Sequence, residues 1–148
     1  MATLVFPASV RDQVRKQHAA LRVVLEDALA TTAGSTDRDV KRFSAMARDL
    51  CERFCAHLAF EDEALPPVLA VLDSWGPERV MSMHEEHTRQ RRVLDELRLM
   101  SEVGPSAQEL TAALNKLAAV LLRDMDEEEE SLLQSTAMAA SFLTIERR

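Results

Sequence analysis

Six side chains able to bind a cation occupy positions where an apolar helical stripe calls for leucine. His18 interrupts the run Val10, Val14, Leu21, Leu25, Ala28; His57 and Glu61 interrupt Phe43, Ala47, Leu50, Phe54, Leu65. His87 falls among Val80, Met83, Gln90, Leu94 and Leu97, and Asp124 and Glu128 fall among Leu110, Leu114, Leu117, Leu121 and Leu132. Steps of three and four residues keep each set on one helical face, so three imidazoles and three carboxylates point at a common core. A buried, unpaired carboxylate costs several kcal/mol, and a cation shared between helices offsets that cost. Two divalent ions use the set efficiently: His18 and His57 on one, His87 and Asp124 on the other, with Glu61 and Glu128 bridging. Mixed nitrogen and oxygen donors with open positions suit iron, and zinc or manganese is compatible with the same groups.

The elements that must position these groups are helices. Three Gly, five Pro and no Tyr, beside abundant Ala, Leu, Met, Glu and Arg, favour helix over sheet. The first helix is expected over about 9–32, with Ser9 as N-cap and Ala33-Gly34-Ser35 as its stop. The second starts after 35–37 and ends or kinks at Pro66-Pro67, leaving 68–72 as a short apolar piece across the bundle end. Ser74-Trp75-Gly76-Pro77 reads as a turn, and the third helix opens near Pro77 and reaches about residue 103. Gly104-Pro105-Ser106 breaks it. Ser106 with Glu109 makes a capping box for a fourth helix to about residue 134, and Met138, Phe142, Leu143 and Ile145 fall in a tail that docks on the bundle as a short helix.

Four long helices with short connections give an all-α fold, an up-down-up-down four-helix bundle with a short C-terminal tail segment. The expected organisation is a single domain, 1–148, with its core over about 9–134 and its tail over 135–148. An internal repeat supports the pairing: the stretch from His18 to Leu25 resembles that from His87 to Leu94, and the stretch from His57 to Leu65 lies over that from Asp124 to Leu132.

Composition narrows the function. The formal net charge is -7, from 18 Lys plus Arg against 25 Asp plus Glu, and such a field repels nucleic acid and anionic membranes. Arg89, Arg91 and Arg92 read as the outer face of a helix. No apolar run approaches the roughly 20 residues that span a bilayer, and the start of the chain lacks the basic n-region of a signal peptide, so a cytoplasmic location is expected. Cys51 and Cys55 read as reduced packing residues. The methionines read as filler, except that Met83 is placed to line a pocket. No phosphate-binding glycine loop or nucleophile elbow appears. The segment Asp124 to Glu130 holds six acids in seven residues; only Asp124 and Glu128 are in phase with the leucines, with Glu129 as the register alternative and Glu127 a poorer fit. Asp62 and Glu63 read as surface residues or outer partners of the ligands, as do Glu85, Glu86 and Gln17.

Over about 10–134 the chain resembles the hemerythrin-like, or HHE cation-binding, proteins. The resemblance rests on the lone His18, on His57 and Glu61 within HLAFEDEALPP, on Glu86-His87, and on the Glu-rich segment of the fourth helix. It implies a four-helix bundle holding two non-haem irons that handles oxygen, peroxide, nitric oxide or iron itself. Two positions depart from the family pattern: Asp124 and Met83 stand where histidines are usual, and His84 is near enough to Met83 to substitute as a ligand. Exchanging imidazole for carboxylate favours the ferric state. Oxidase- or peroxidase-like chemistry, or storage or sensing of iron or zinc without turnover, is therefore expected ahead of reversible oxygen carriage. A metal-free interaction bundle is the remaining reading.

Overall fold

A computed structural model describes residues 2–34 and 36–146, with the side chains of 8–34, 36–71 and 73–130. Helix α1 spans Ala2–Thr32, a 3-10 turn spans Asp37–Asp39, and α2 spans Val40–Leu72, α3 Gly76–Glu102 and α4 Ala107–Glu146. There is no strand among the described residues. Each helix packs on the next, α1 also packs on α4, and α2 touches α4 across the diagonal. This is the all-α up-down-up-down bundle that short connections between long amphipathic helices produce. No helix among the described residues is long and apolar enough to cross a membrane.

The α3–α4 connection follows its sequence signals. Gly104 adopts φ +74°, a left-handed conformation that glycine enters without steric cost. The Glu109 amide donates to Ser106 Oγ at 3.1 Å, and the Ser106 hydroxyl lies 3.1 Å from Glu109 Oε1. The Ala107 amide donates to Asp37 Oδ1 at 2.8 Å, tying the start of α4 to the α1–α2 connection.

Three boundaries differ from expectation. Helix α1 begins at Ala2, not Ser9, and runs through Pro7. A proline in the second turn forgoes only one ladder bond. Helix α2 does not stop at Pro66-Pro67 but continues to Leu72. The two missing amides forgo the bonds to the carbonyls of Asp62 and Glu63, while Leu65, Val68 and Leu69 are buried on the same face. Burying such side chains contributes roughly 1.5–3 kcal/mol each, enough to carry the helix past the break. Helix α4 continues to Glu146, so no separate tail segment begins at residue 135. The expected docking of Met138, Phe142, Leu143 and Ile145 lies outside the described side chains.

The core is divided. One apolar cluster joins Leu21, Leu25, Leu50, Phe54, Leu94, Leu117 and their neighbours from all four helices. A second, smaller one joins Val10, Val14, Leu65, Val68, Leu69 and Met83. Along α1, α2 and α3 the polar interruptions of the stripes fall between the two, while on α4 Asp124 and Glu128 follow the apolar run Leu114, Leu117, Leu121 of the first. His18, His57, Glu61, His87, Gln90 and Asp124 form a buried polar layer sealed on both sides by hydrocarbon.

Candidate metal centre

On α1, α2 and α3 the ligand candidates sit on helix turns with an apolar cluster to either side, and on α4 they follow Leu114, Leu117 and Leu121 of the larger one. His57 and Glu61 are one turn apart on α2, and their Nε2 and Oε1 atoms lie 3.1 Å apart. His18 on α1 brings its Nε2 to 3.1 Å from His57 Nε2 and 3.2 Å from Glu128 Oε1 of α4. His87 on α3 approaches from the other side, with Nε2 at 3.2 Å from Glu61 Oε1 and 3.9 Å from Glu128 Oε2. One donor atom from each of His18, His57, Glu61 and Glu128 lies within 4.8 Å of all the others.

The separations of 3.1 and 3.2 Å suit a cation. Donors held about 2.0–2.2 Å from one ion stand roughly 3 Å from each other at tetrahedral or octahedral angles. The polar atoms also lack other employment: Glu61 Oε2, Glu128 Oε1 and His87 Nε2 are buried with no hydrogen-bond partner, although opposing groups stand close by. Native interiors satisfy nearly all such atoms, so their convergence is the donor chemistry that a cation would satisfy. The donor set therefore fits a metal on its chemistry, its spacing and its unsatisfied lone pairs.

Electrostatics agree. Burial opposes protonation of His18, but Glu128 and Glu61 outweigh it and raise the imidazole to about 9. Burial likewise opposes His87, while Glu128, Glu61 and Asp62 raise it to about 10. Burial works against ionisation of Glu61 too, yet Glu128 and the three histidines hold it well below the usual carboxylate range. Glu128 is pushed up by its own burial and by Glu61 beside it. With no cation present, protons on the imidazoles supply the positive charge that the carboxylates demand.

The outer hydrogen bonds orient the rings. His57 Nδ1 stands 2.7 Å from Gln17 Oε1, and His87 Nδ1 stands 2.6 Å from Asp62 Oδ1. Each Nδ1–H donates to its acceptor, which leaves Nε2 directed at the centre. Arg91 donates to the other oxygen of Asp62. Burial disfavours the Asp62 carboxylate, but Arg91 and His87 lower it overall. Behind His18, Glu129 Oε2 lies 3.7 Å from Nδ1.

The remaining candidates lie outside the four converging donors. Glu129 is clamped by Arg22, which donates to both of its oxygens. One residue beyond Glu128 turns the helix by about 100°, which carries Glu129 off the central face and toward the outer side of α1. His84 is 53% exposed in its side chain, with Nδ1 at 3.7 Å from Asp62 Oδ1, so it sits at the solvent edge and not in the polar layer. Asp124 is buried and lines the same cleft of about 10 Å³ as His18, His57 and Glu61. Its Oδ2, however, accepts from Gln90 Nε2 at 3.2 Å, and its Oδ1 lies 3.6 Å from Arg123, so it does not join the four converging donors. A larger cavity of about 250 Å³ opens beside the centre, lined by Leu65, Leu69, Met83, Glu86 and Glu128 among others. Met83 thus does line a pocket.

Two residues have a larger part than the sequence reading gave them. Glu86 faces inward enough that burial, then Asp124 and Glu128, raise it to about 7. Gln90 is buried and donates to both Glu86 and Asp124. Its signal was its place on the α3 stripe, one turn after His87.

The family model of the hemerythrin HHE cation-binding domain matches residues 9–135. No curated protein and no solved structure matches the chain significantly. The matched region contains all four helices' contributions to the polar layer, and the chain belongs to the hemerythrin HHE cation-binding family.

Proposed function

We propose that this chain is a hemerythrin-like non-haem di-iron protein, in which His18, His57, His87, Glu61 and Glu128 would hold the two ions. The observation that carries the reading is the position of Glu61: its Oε1 is 3.1 Å from His57 Nε2 and 3.2 Å from His87 Nε2. One carboxylate so placed serves both halves of the bundle, and Glu128 faces His18 and His87 in the same way. The ions would supply Lewis acidity and redox capacity toward a small ligand such as dioxygen, peroxide or nitric oxide.

The protein's own part is positional. Gln17 and Asp62 fix the tautomers of His57 and His87, and the two apolar clusters exclude bulk water from above and below. The cavity beside Glu128, walled by Leu65, Leu69 and Met83, gives a small uncharged molecule a way to the centre. Elemental analysis with an ultraviolet-visible spectrum of protein expressed in iron-supplemented medium tests the reading. Two irons per chain and their loss in His57→Ala are expected. Chelation should lower the melting temperature by about 5–10 °C, since a ligand at 100 times its Kd stabilises by about 2.7 kcal/mol and a chain of this size moves about 2–4 °C per kcal/mol. A chain that takes up no metal and melts unchanged with chelator would refute it.

A further inference from the structure

Resting on the dinuclear reading, the two ion positions have very different surroundings. On the His18 side four donors already converge. On the other side only His87 Nε2, Glu61 Oε1 and Glu128 Oε2 face one another, and His87 is completely buried with its Nε2 unpartnered. A buried imidazole nitrogen facing carboxylates without a well-formed hydrogen bond is costly unless a proton or a cation stands between them. Three protein donors leave further coordination positions of a divalent ion to solvent or to additional side chains.

Two further carboxylates stand within a helical turn of this position. Asp124 is one turn before Glu128 on α4, and Glu86 directly precedes His87 on α3. A single amide nitrogen reaches both: Gln90 Nε2 lies 3.2 Å from Asp124 Oδ2 and 3.4 Å from Glu86 Oε1. A neutral NH2 group donating to two carboxylates sits where a cation would be expected between them. The longer bond is near the limit for a hydrogen bond and is a weak tether. Glu86 and Glu128 both line the 250 Å³ cavity, so an ion arriving from solvent meets Glu86 before it meets His87.

We propose that Glu86, together with Asp124, completes a divalent-cation position beside His87, and that Gln90 holds the two carboxylates back until the cation displaces its amide. Glu61, Glu128, Asp124 and Glu86 then carry four negative charges, which two divalent ions neutralise in full. The position so completed has one imidazole and otherwise oxygen donors. It therefore suits Fe2+ or Mn2+, while the two imidazoles of the other position admit zinc as well.

The test is titration of metal-free full-length protein with Mn2+, reading bound and free ion by electron paramagnetic resonance. Wild type is expected to bind two Mn2+ per chain. Glu86→Gln and Asp124→Asn should leave the first ion bound as in wild type and weaken the second by about 10- to 100-fold or more, the range that loss of even an outer partner of a metal ligand produces. Gln90→Leu should bind the second ion at least as tightly as wild type. Metal-free Glu86→Gln is expected to melt no lower than wild type, because it removes a carboxylate from beside Asp124 and Glu128; a lower melting temperature would assign Glu86 to the fold and overturn the inference. Two ions bound by Glu86→Gln with unchanged affinities would overturn it too. A wild type that binds only one ion, or none, would instead sink the dinuclear reading on which the inference rests.

Discussion

Metal uptake by this centre should be steeply and continuously dependent on pH across the neutral range. Burial disfavours charge on both rings, yet Glu128 and Glu61 raise His18 to about 9 and, with Asp62, His87 to about 10. Both are therefore protonated in the metal-free protein at pH 7, and each must shed a proton for its Nε2 to serve as a ligand. Displacing two protons makes the apparent affinity rise about 100-fold per pH unit, or about 2.7 kcal/mol, and the rise should persist from pH 6.5 to near 9. Histidines at their ordinary value of 6.5 would give a curve that flattens soon above neutrality. The same shifts act oppositely on the empty protein. A histidine raised on folding contributes stability that is fully present below pH 6.5 and is lost as pH climbs through 9 and 10. Glu61, held low despite its burial, contributes stability that is fully present above its ordinary range and is lost as pH falls through and below that range. The metal-free protein should thus melt progressively lower from pH 6.5 to 10 while the loaded protein gains on it. Competition with a chelator of known pH dependence, and calorimetry in buffers of different ionisation enthalpy, measure the slope and the protons released. Release of fewer than about one proton at pH 7.5, or a flat affinity above pH 7, would refute the argument that carboxylates and imidazoles share this charge.

Three other outcomes follow from particular contacts. Asp62→Asn keeps an acceptor for His87 Nδ1 but removes its charge; metal affinity should fall about 10-fold in a chelator competition at fixed pH, with the metal-free melting temperature nearly unchanged because the Arg91 pair is partly exposed. Gly76→Ala should destabilise by about 1–3 kcal/mol in a urea melt, since a Cβ there would stand 2.4 Å from the Ala70 carbonyl oxygen. Cys51 is buried and its thiol, pushed up by that burial to about 11, donates to the Leu94 carbonyl at 3.3 Å; iodoacetamide at pH 8 should label exposed Cys55 and spare Cys51 in the native protein, as read by mass spectrometry.

The bundle was legible because its signal is periodic. Among the described side chains every apolar stripe residue except half-buried Val80 is found buried, and the polar interruptions could be placed in one layer by counting turns. Boundaries were less legible where a local rule met tertiary burial. Pro66-Pro67 satisfies every criterion for a stop, yet Leu65, Val68 and Leu69 bury a continuous face with Val10, Val14 and Met83. Periodicity also selected Glu128 over Glu129, because 100° of rotation separates facing the layer from facing Arg22. What it could not supply was pairing between helices. That Gln90 stands between Glu86 and Asp124, or that Asp62 and not His84 completes the surroundings of His87, depends on which flanks of α2, α3 and α4 meet. Stripes define a face to within tens of degrees, and a hydrogen bond needs far better.

The arginines explain why the inner charge is left over. Arg22 is spent on Glu129 and Asp126, and Arg91 on Asp62, all at the margin of the polar layer. Arg79 is engaged by Asp73 at 2.8 and 3.2 Å, although it lines the cavity that leads inward. None of the three donates to Glu61, Glu128 or Asp124, the carboxylates within the layer. An arginine placed against Glu61 or Glu128 would have satisfied the buried oxygens permanently, since a guanidinium cannot give up its proton. Imidazoles are different, because the proton they bring can be exchanged for a metal at the same nitrogen. The outer carboxylates are therefore neutralised irreversibly by arginine and the inner ones reversibly by histidine, which is the division of charge that a loadable cation site requires.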